Sequence, residues 1–235
     1  MKVTIDHFNR THTRIRTLFT RTIAFLLLGF FCLFGFSCAK KVDYFHSVSE
    51  LRSNILLAEG EGYRMTVYAV TRETPYRADG IPQDKTTVAE FRLTAPEGQT
   101  NVLLDFAYAD KSYGGDMSYD NVKSQFYYSC TLDIAQAKEI PFTLQCGESK
   151  ITLTAKTVLT ESTLTPEQLL KTLINAQPQL FKDMTDKYGF CGEIYLRLIH
   201  EDANYYYVGI IDRSQKIRAF LLNAENGKIL AKRDS

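Results

Sequence analysis

The sequence predicts an α+β fold that is mostly antiparallel β: a β-sandwich-like N-terminal domain followed by a small domain of helices and a four-strand meander. Three observations carry this. Between residues 63 and 158 six short segments alternate apolar and polar side chains, and turn residues separate them. Around residue 165 the apolar spacing changes from two to the helical three-to-four. After residue 192 four strand-like segments follow on short links, which makes them antiparallel neighbours.

In chain order, Ser47-Val48-Ser49-Glu50 has the form of a capping box and predicts a short helix with Leu51 and Ile55 on one face. Residues 63–71 read as a strand, with Tyr63, Met65, Val67 and Ala69 on one side. Residues 72–85 hold Pro75, Gly80 and Pro82 and read as a loop. Strands are predicted at 86–94 and 101–109, and a polar loop with a Gly pair at 110–123. Residues 124–134 place Phe126, Tyr128, Cys130, Leu132 and Ile134 on one face; strands then follow from Pro141 to Cys146 and over 150–158. Thr165-Pro166-Glu167-Gln168 carries three helix-start marks: a cap, a proline at the first helical position and a glutamine that closes the box. A second helix opens at Pro178 and ends near Gly189 as a C-cap. The meander occupies 193–200, 205–212, 217–223 and 228–232.

The first 37 residues differ in kind. Residues 23–36 form an uncharged apolar run of 14 residues, preceded by five basic residues and one acid. As a helix that run is about 21 Å long, short of the roughly 30 Å hydrocarbon core and well sized for a signal sequence. Gly35-Phe36-Ser37-Cys38 resembles the lipobox of bacterial lipoproteins. That resemblance implies cleavage before Cys38, acyl chains (palmitate-type) on its sulfur, and a membrane partner reached through that lipid. The domain plan is then 1–37 signal peptide, 38–46 tether, 47–160 β-sandwich-like domain and 161–235 α+β domain. Cleavage after Ala39, which would release a soluble product, and an uncleaved anchor are the alternatives. On the lipidated reading the protein is exported and faces the extracytoplasmic side.

The chain has 28 basic and 27 acidic residues; removing the leader's five and one leaves 23 and 26, a net charge of −3. No basic stripe argues for nucleic acid. Walker, dinucleotide and HExxH signatures are absent, so no cofactor and no metal is predicted. The Asp105, Asp110, Asp116 and Asp120 loop reads as solvated rather than as a calcium site. His200, beside Glu201, is the one histidine with a carboxylate neighbour in a strand, and no nucleophile can be assigned to it; no catalytic residue is predicted and the chain reads as non-enzymatic.

Two features point to recognition and to structure. Tyr113 and Tyr119 flank the Gly pair, and Tyr206 lies on the strand face opposite Tyr205 and Tyr207, so Tyr113, Tyr119 and Tyr206 form a candidate recognition surface for an envelope protein partner. Cys130 and Cys146 share the apolar parity of consecutive strands, and their register sets Cys130 opposite Gln145 or Cys146. The second register permits a disulfide; a pair of buried free thiols is the alternative. Finally, residues 208–212 (Val-Gly-Ile-Ile-Asp) and 220–230 (Phe-Leu-Leu-Asn-Ala-Glu-Asn-Gly-Lys-Ile-Leu) resemble the end of PepSY-type domains, with Asn223 and Asn226 in place of the usual Asp and Thr. That resemblance implies a modulator of a secreted or envelope enzyme. An envelope enzyme with an unrecognised site is the third reading.

Overall fold

The leader carries the strongest sequence signal, yet the computed structural model describes residues 42–234, so the signal peptide and Cys38 lie outside the described residues. Fifteen strands and two α-helices follow, and all the longer strands join one sheet. The mostly antiparallel β class predicted from alternation is observed.

β1 (Val48–Gly60) is the hub. It pairs antiparallel with β2 (Tyr63–Glu73), parallel with β12 (Gly192–His200) and, near its end, antiparallel with β9 (Ser149–Thr157). The capping-box helix expected at 47–50 is therefore not formed. Only a single 3-10 turn, Phe45–Ser47, precedes the strand. Tertiary pairing overrides the local motif: Ser49 and Glu50 are buried between two neighbouring strands, and the side chain of Asn54 donates to the carbonyl of Ala137 at 2.9 Å. Tyr44 and Phe45, inside the segment read as tether, already pack on the core.

From β2 the sheet runs through β3 (Lys85–Thr94), β7 (Gln125–Cys130) and β6 (Ser118–Asp120) to one edge. A branch folds back from β9 through β8 (Glu139–Cys146) to β4 (Leu103–Tyr108) and β5 (Lys111–Asp116). Phe91, Met65, Val67, Leu104, Phe106 and Phe142 fill the space between. β5 and β6 occupy the stretch predicted as loop. A hairpin forms there because Ala109 and Asp110 both adopt positive φ, and because Gly114 lets the backbone approach Leu104, where any Cβ would collide with that carbonyl oxygen.

The second half follows the sequence closely. α1 (Pro166–Ala176) has the full capping box: Gln168 N–H donates to Thr165 Oγ1 at 3.3 Å, and Thr165 N–H donates to Gln168 Oε1 at 2.9 Å. Its Leu169, Leu170 and Leu173 are buried on the meander, which continues from β12 through β13 (Asn204–Asp212) and β14 (Ile217–Asn223) to β15 (Ile229–Asp234). α2 (Pro178–Asp183) ends six residues before Gly189, the expected C-cap. The intervening residues form a two-stranded ribbon, β10 (Thr185–Asp186) and β11 (Gly189–Phe190). A second hydrophobic cluster lies here, built on Val48, Phe181, Leu196, Val208 and Phe220. Residues Val42–Ser235 group as one compact unit.

Two side-chain expectations are corrected. Tyr206 is not part of a recognition surface: it is 1 % exposed, shares its parity with Val208 and Ile210, and its hydroxyl donates to the Leu164 carbonyl at 3.4 Å. Inward is the Tyr206 parity, because the helical leucines cover that face. Cys130 and Cys146 are not on paired strands. β7 pairs with β3, setting Cys130 opposite Ala89, while β8 pairs with β9, setting Cys146 opposite Ser149; Cys130, Cys146 and Cys191 are free thiols. His200 takes its partner from Asn204, Nδ1 to Oδ1 at 2.8 Å, rather than from Glu201.

Candidate site on the outer sheet face

Alternation gives the central strands a second face. Opposite the core residues Val67, Ala69 and Phe91 stand Tyr68, Arg72, Glu90 and Arg92; opposite Ile194, Leu196 and Leu198 stand Glu193, Tyr195 and Arg197. Register lines these up across strands: Glu50 with Arg72 and Tyr195, Arg52 with Arg197, Arg197 with Tyr207, and Tyr68 with Glu90.

The result is a network of charge and aromatic rings. Arg197 holds Glu50 with two donors, Nε to Oε1 at 2.9 Å and Nη2 to Oε2. Burial opposes charge on Arg197, but this fork on Glu50 holds its pKa above the usual value. Glu90 is 2 % exposed and accepts from Arg72 at 2.8 Å and from Arg92 at 3.2 Å. Tyr195 and Tyr207 stack at 6.2 Å, and the Arg197 guanidinium lies 4.9 Å from the Tyr195 ring centroid. Arg52 and Arg92 both lie over Tyr68, at 4.3 and 5.0 Å. Beyond Arg72 and Arg92 a groove of about 290 Å³ continues to Asp120, Lys123, Gln125 and Tyr127.

Arg52 is the member of this face without a carboxylate. One Nη donates to the Leu198 carbonyl at 3.4 Å, and its buried Nε has no hydrogen-bond partner among the described residues. Burial pushes its pKa down and the like charges of Arg92 and Arg197 add to this, while Tyr68 and the Glu50 carboxylate oppose it. Four guanidiniums thus meet two paired carboxylates.

At the Glu193 end a strap, residues 74–84, crosses the face. Gly80 rests against the backbone of Asp212, and Tyr76 sits edge-on to Tyr195 with ring centroids 6.4 Å apart. Beneath it Glu193 is fully buried, and neither of its carboxyl oxygens has a hydrogen-bond partner among the described residues; the same holds for Glu73 Oε2 and the Tyr76 hydroxyl. Glu73 Oε1 accepts from Gln83 N–H at 2.6 Å, which ties the strap down. Burial first, then the nearby carboxylates of Glu73 and Asp79, raise the Glu193 pKa to about 7; the Tyr76 hydroxyl and Gly80 N–H lie near enough to oppose this but not in hydrogen-bonding geometry. A carboxyl at that pKa has the protonation chemistry of a general acid, but here it is sealed from any substrate unless the strap moves.

Of the predicted recognition tyrosines, Tyr119 is 51 % exposed and leans on Phe126, and Tyr113 stacks on Phe106 at 5.3 Å. They lie on β6 and β5, away from the Arg52 network. The sequence reading missed that network because its members come from five strands, and only the register brings them together. Its one sequence trace is the charged parity of β3, Glu90 and Arg92. Asp120 accepts from Val122 and Lys123 N–H and so closes its own turn, and among the described residues no cluster of three or more metal-binding side chains occurs. The chain matches no protein-family model, no curated protein and no solved structure.

Proposed function

We infer that the protein is an exported lipoprotein, held on the extracytoplasmic side of a membrane by acyl chains on Cys38, that binds an anionic ligand on the outer face of its sheet and carries out no catalysis. The leader and its cysteine support the anchor: a basic start, an apolar run of signal length and a lipobox-like end. Among the described residues no helix is long and apolar enough to cross a membrane. The segments 47–160 and 161–235 each supply most of one hydrophobic cluster, but they share one sheet through the β1–β12 pairing, and residues of β1 enter both clusters.

The observation that carries the binding role is Arg52. A guanidinium flanked by Arg92 and Arg197, with a buried Nε lacking a partner, is poised to gain from a carboxylate or phosphate oxygen. The groove beyond it is mixed in charge, with Arg72 and Arg92 paired to Glu90 and Lys123 paired to Asp120, so Arg52 rather than the groove carries the anion preference. The sealed position of Glu193 and the Asn204 partner of His200 favour binding over chemistry.

The test is a titration with inorganic phosphate, followed through the arginine Nε–Hε NMR signals. The Arg52 signal is expected to move and saturate together with those of Arg92 and Arg197, and in Arg52→Gln, its fold checked by circular dichroism, the Arg92 and Arg197 shifts are expected to be lost. An unmoved Arg52 signal, or an unchanged response in Arg52→Gln, would overturn the reading.

A further inference from the structure

We propose that the tip of the β10–β11 ribbon, Lys187 and Tyr188, docks on the phospholipid surface to which Cys38 is anchored. The inference rests on the lipid-anchor reading and adds the face that the protein turns to the membrane.

The argument starts where the described chain begins. Tyr44 is clamped to the base of this ribbon: its ring packs edge-on against Phe190 at 5.4 Å and Phe181 at 5.1 Å, and its hydroxyl lies 3.4 Å from Thr185 Oγ1. Six residue steps separate Cys38 from Tyr44. Even fully extended they span only about 20 Å, so an acylated Cys38 keeps the Tyr44 clamp within that distance of the bilayer surface. The ribbon that Tyr44 grips is consequently among the parts of the fold nearest to lipid.

Its tip has the chemistry for that place. Tyr188 is 85 % exposed, far more than a structural tyrosine needs to be. The Lys187 ammonium lies 4.8 Å from its ring centroid, and Lys182, at the end of α2, is exposed nearby in the chain. A ring with a polar end beside ammonium groups suits the headgroup layer, where tyrosine and lysine act as interfacial anchors. The turn is also stiff. Asp186 Oδ1 accepts from Tyr188 N–H at 2.7 Å and from Gly189 N–H at 3.2 Å, so the backbone of the tip is already fixed and only its side chains are ordered on docking. The other highly exposed apolar tip, Val122 at 94 %, is on the β6–β7 turn, separated from β12 in the sheet by β1, β2 and β3.

The chain contains no tryptophan, so Tyr188→Trp introduces a single fluorescent reporter, and Val122→Trp provides its counterpart. Both variants are prepared as full lipidated protein in vesicles of phosphatidylcholine and phosphatidylglycerol, with and without brominated lipid. Emission from Tyr188→Trp is expected to shift to the blue and to lose intensity with brominated lipid, while Val122→Trp stays unquenched. Equal behaviour of the two variants, in protein whose mass carries the acyl chains and which sediments with the vesicles, would overturn the docking face and leave the anchor standing. Protein without acyl mass that stays in the supernatant would overturn the anchor and, with it, this inference.

Discussion

Glu193 is the residue whose chemistry is easiest to read in solution. Its pKa is about 7 in the folded protein and about 4.3 in an unfolded chain. Below the lower value both states are protonated and the residue adds no pH-dependent cost. Between the two values the unfolded chain ionises and the folded protein does not, so stability falls as pH rises. Above 7 the full cost applies, up to about 4 kcal/mol. Urea unfolding of the wild type at pH 5 and pH 8 is expected to show this loss, and Glu193→Gln to remove most of it. Parallel pH profiles for the two proteins would show that Glu193 is not held protonated. Tyr206 teaches a different lesson at the same scale. Alternation in the sequence separated it correctly from Tyr205 and Tyr207, but periodicity does not say which face is covered. That was decided by Leu169, Leu170 and Leu173 on α1. Arg52 was not legible at all, since its significance depends on Arg92 and Arg197, 40 and 145 positions away.

Among the elements, those with local signals were the readable ones. Thr165, Pro166 and Gln168 specify the start of α1 through atoms within one turn, and short links specify the meander. The same kind of signal failed at Ser47–Glu50, where burial between β2 and β12 outweighs a cap contributing about 1 kcal/mol. It failed at Cys130 and Cys146 because β7 and β8 are consecutive long strands in sequence but belong to different branches of the sheet. The strap over Glu193 was legible only as a loop; its role comes from the contact of Gly80, at φ +78, with the Asp212 backbone. Gly80→Ala adds a Cβ both in the left-handed region and against that backbone. It is expected to destabilise the protein by about 2 kcal/mol and to lift the strap. Water then reaches Glu193, and its pKa falls toward the ordinary carboxylate range. Carbon-13 NMR of the Glu193 carboxyl would detect the change. An unshifted titration midpoint in Gly80→Ala would mean that the strap does not control this carboxyl.

For the whole molecule, one sheet carries two apolar clusters and, over its central strands, a charged and aromatic face whose Tyr68 also packs on the second cluster. The sequence predicted the β-rich class because alternation is a local property, whereas the branching of the sheet at β1 depends on pairings more than 100 residues apart. The working position of the molecule rests on the leader. A binding face whose Arg52 has no ion pair of its own and a ribbon tip suited to headgroups make sense together on a protein held at a bilayer, and that placement is the account's central claim. Its most direct test is labelling with a clickable fatty acid in a bacterial host that processes lipoproteins. Wild-type protein is expected to take up the label and fractionate with membranes, and Cys38→Ala to remain unlabelled with its leader uncleaved. Label on Cys38→Ala, or none on the wild type, would contradict it.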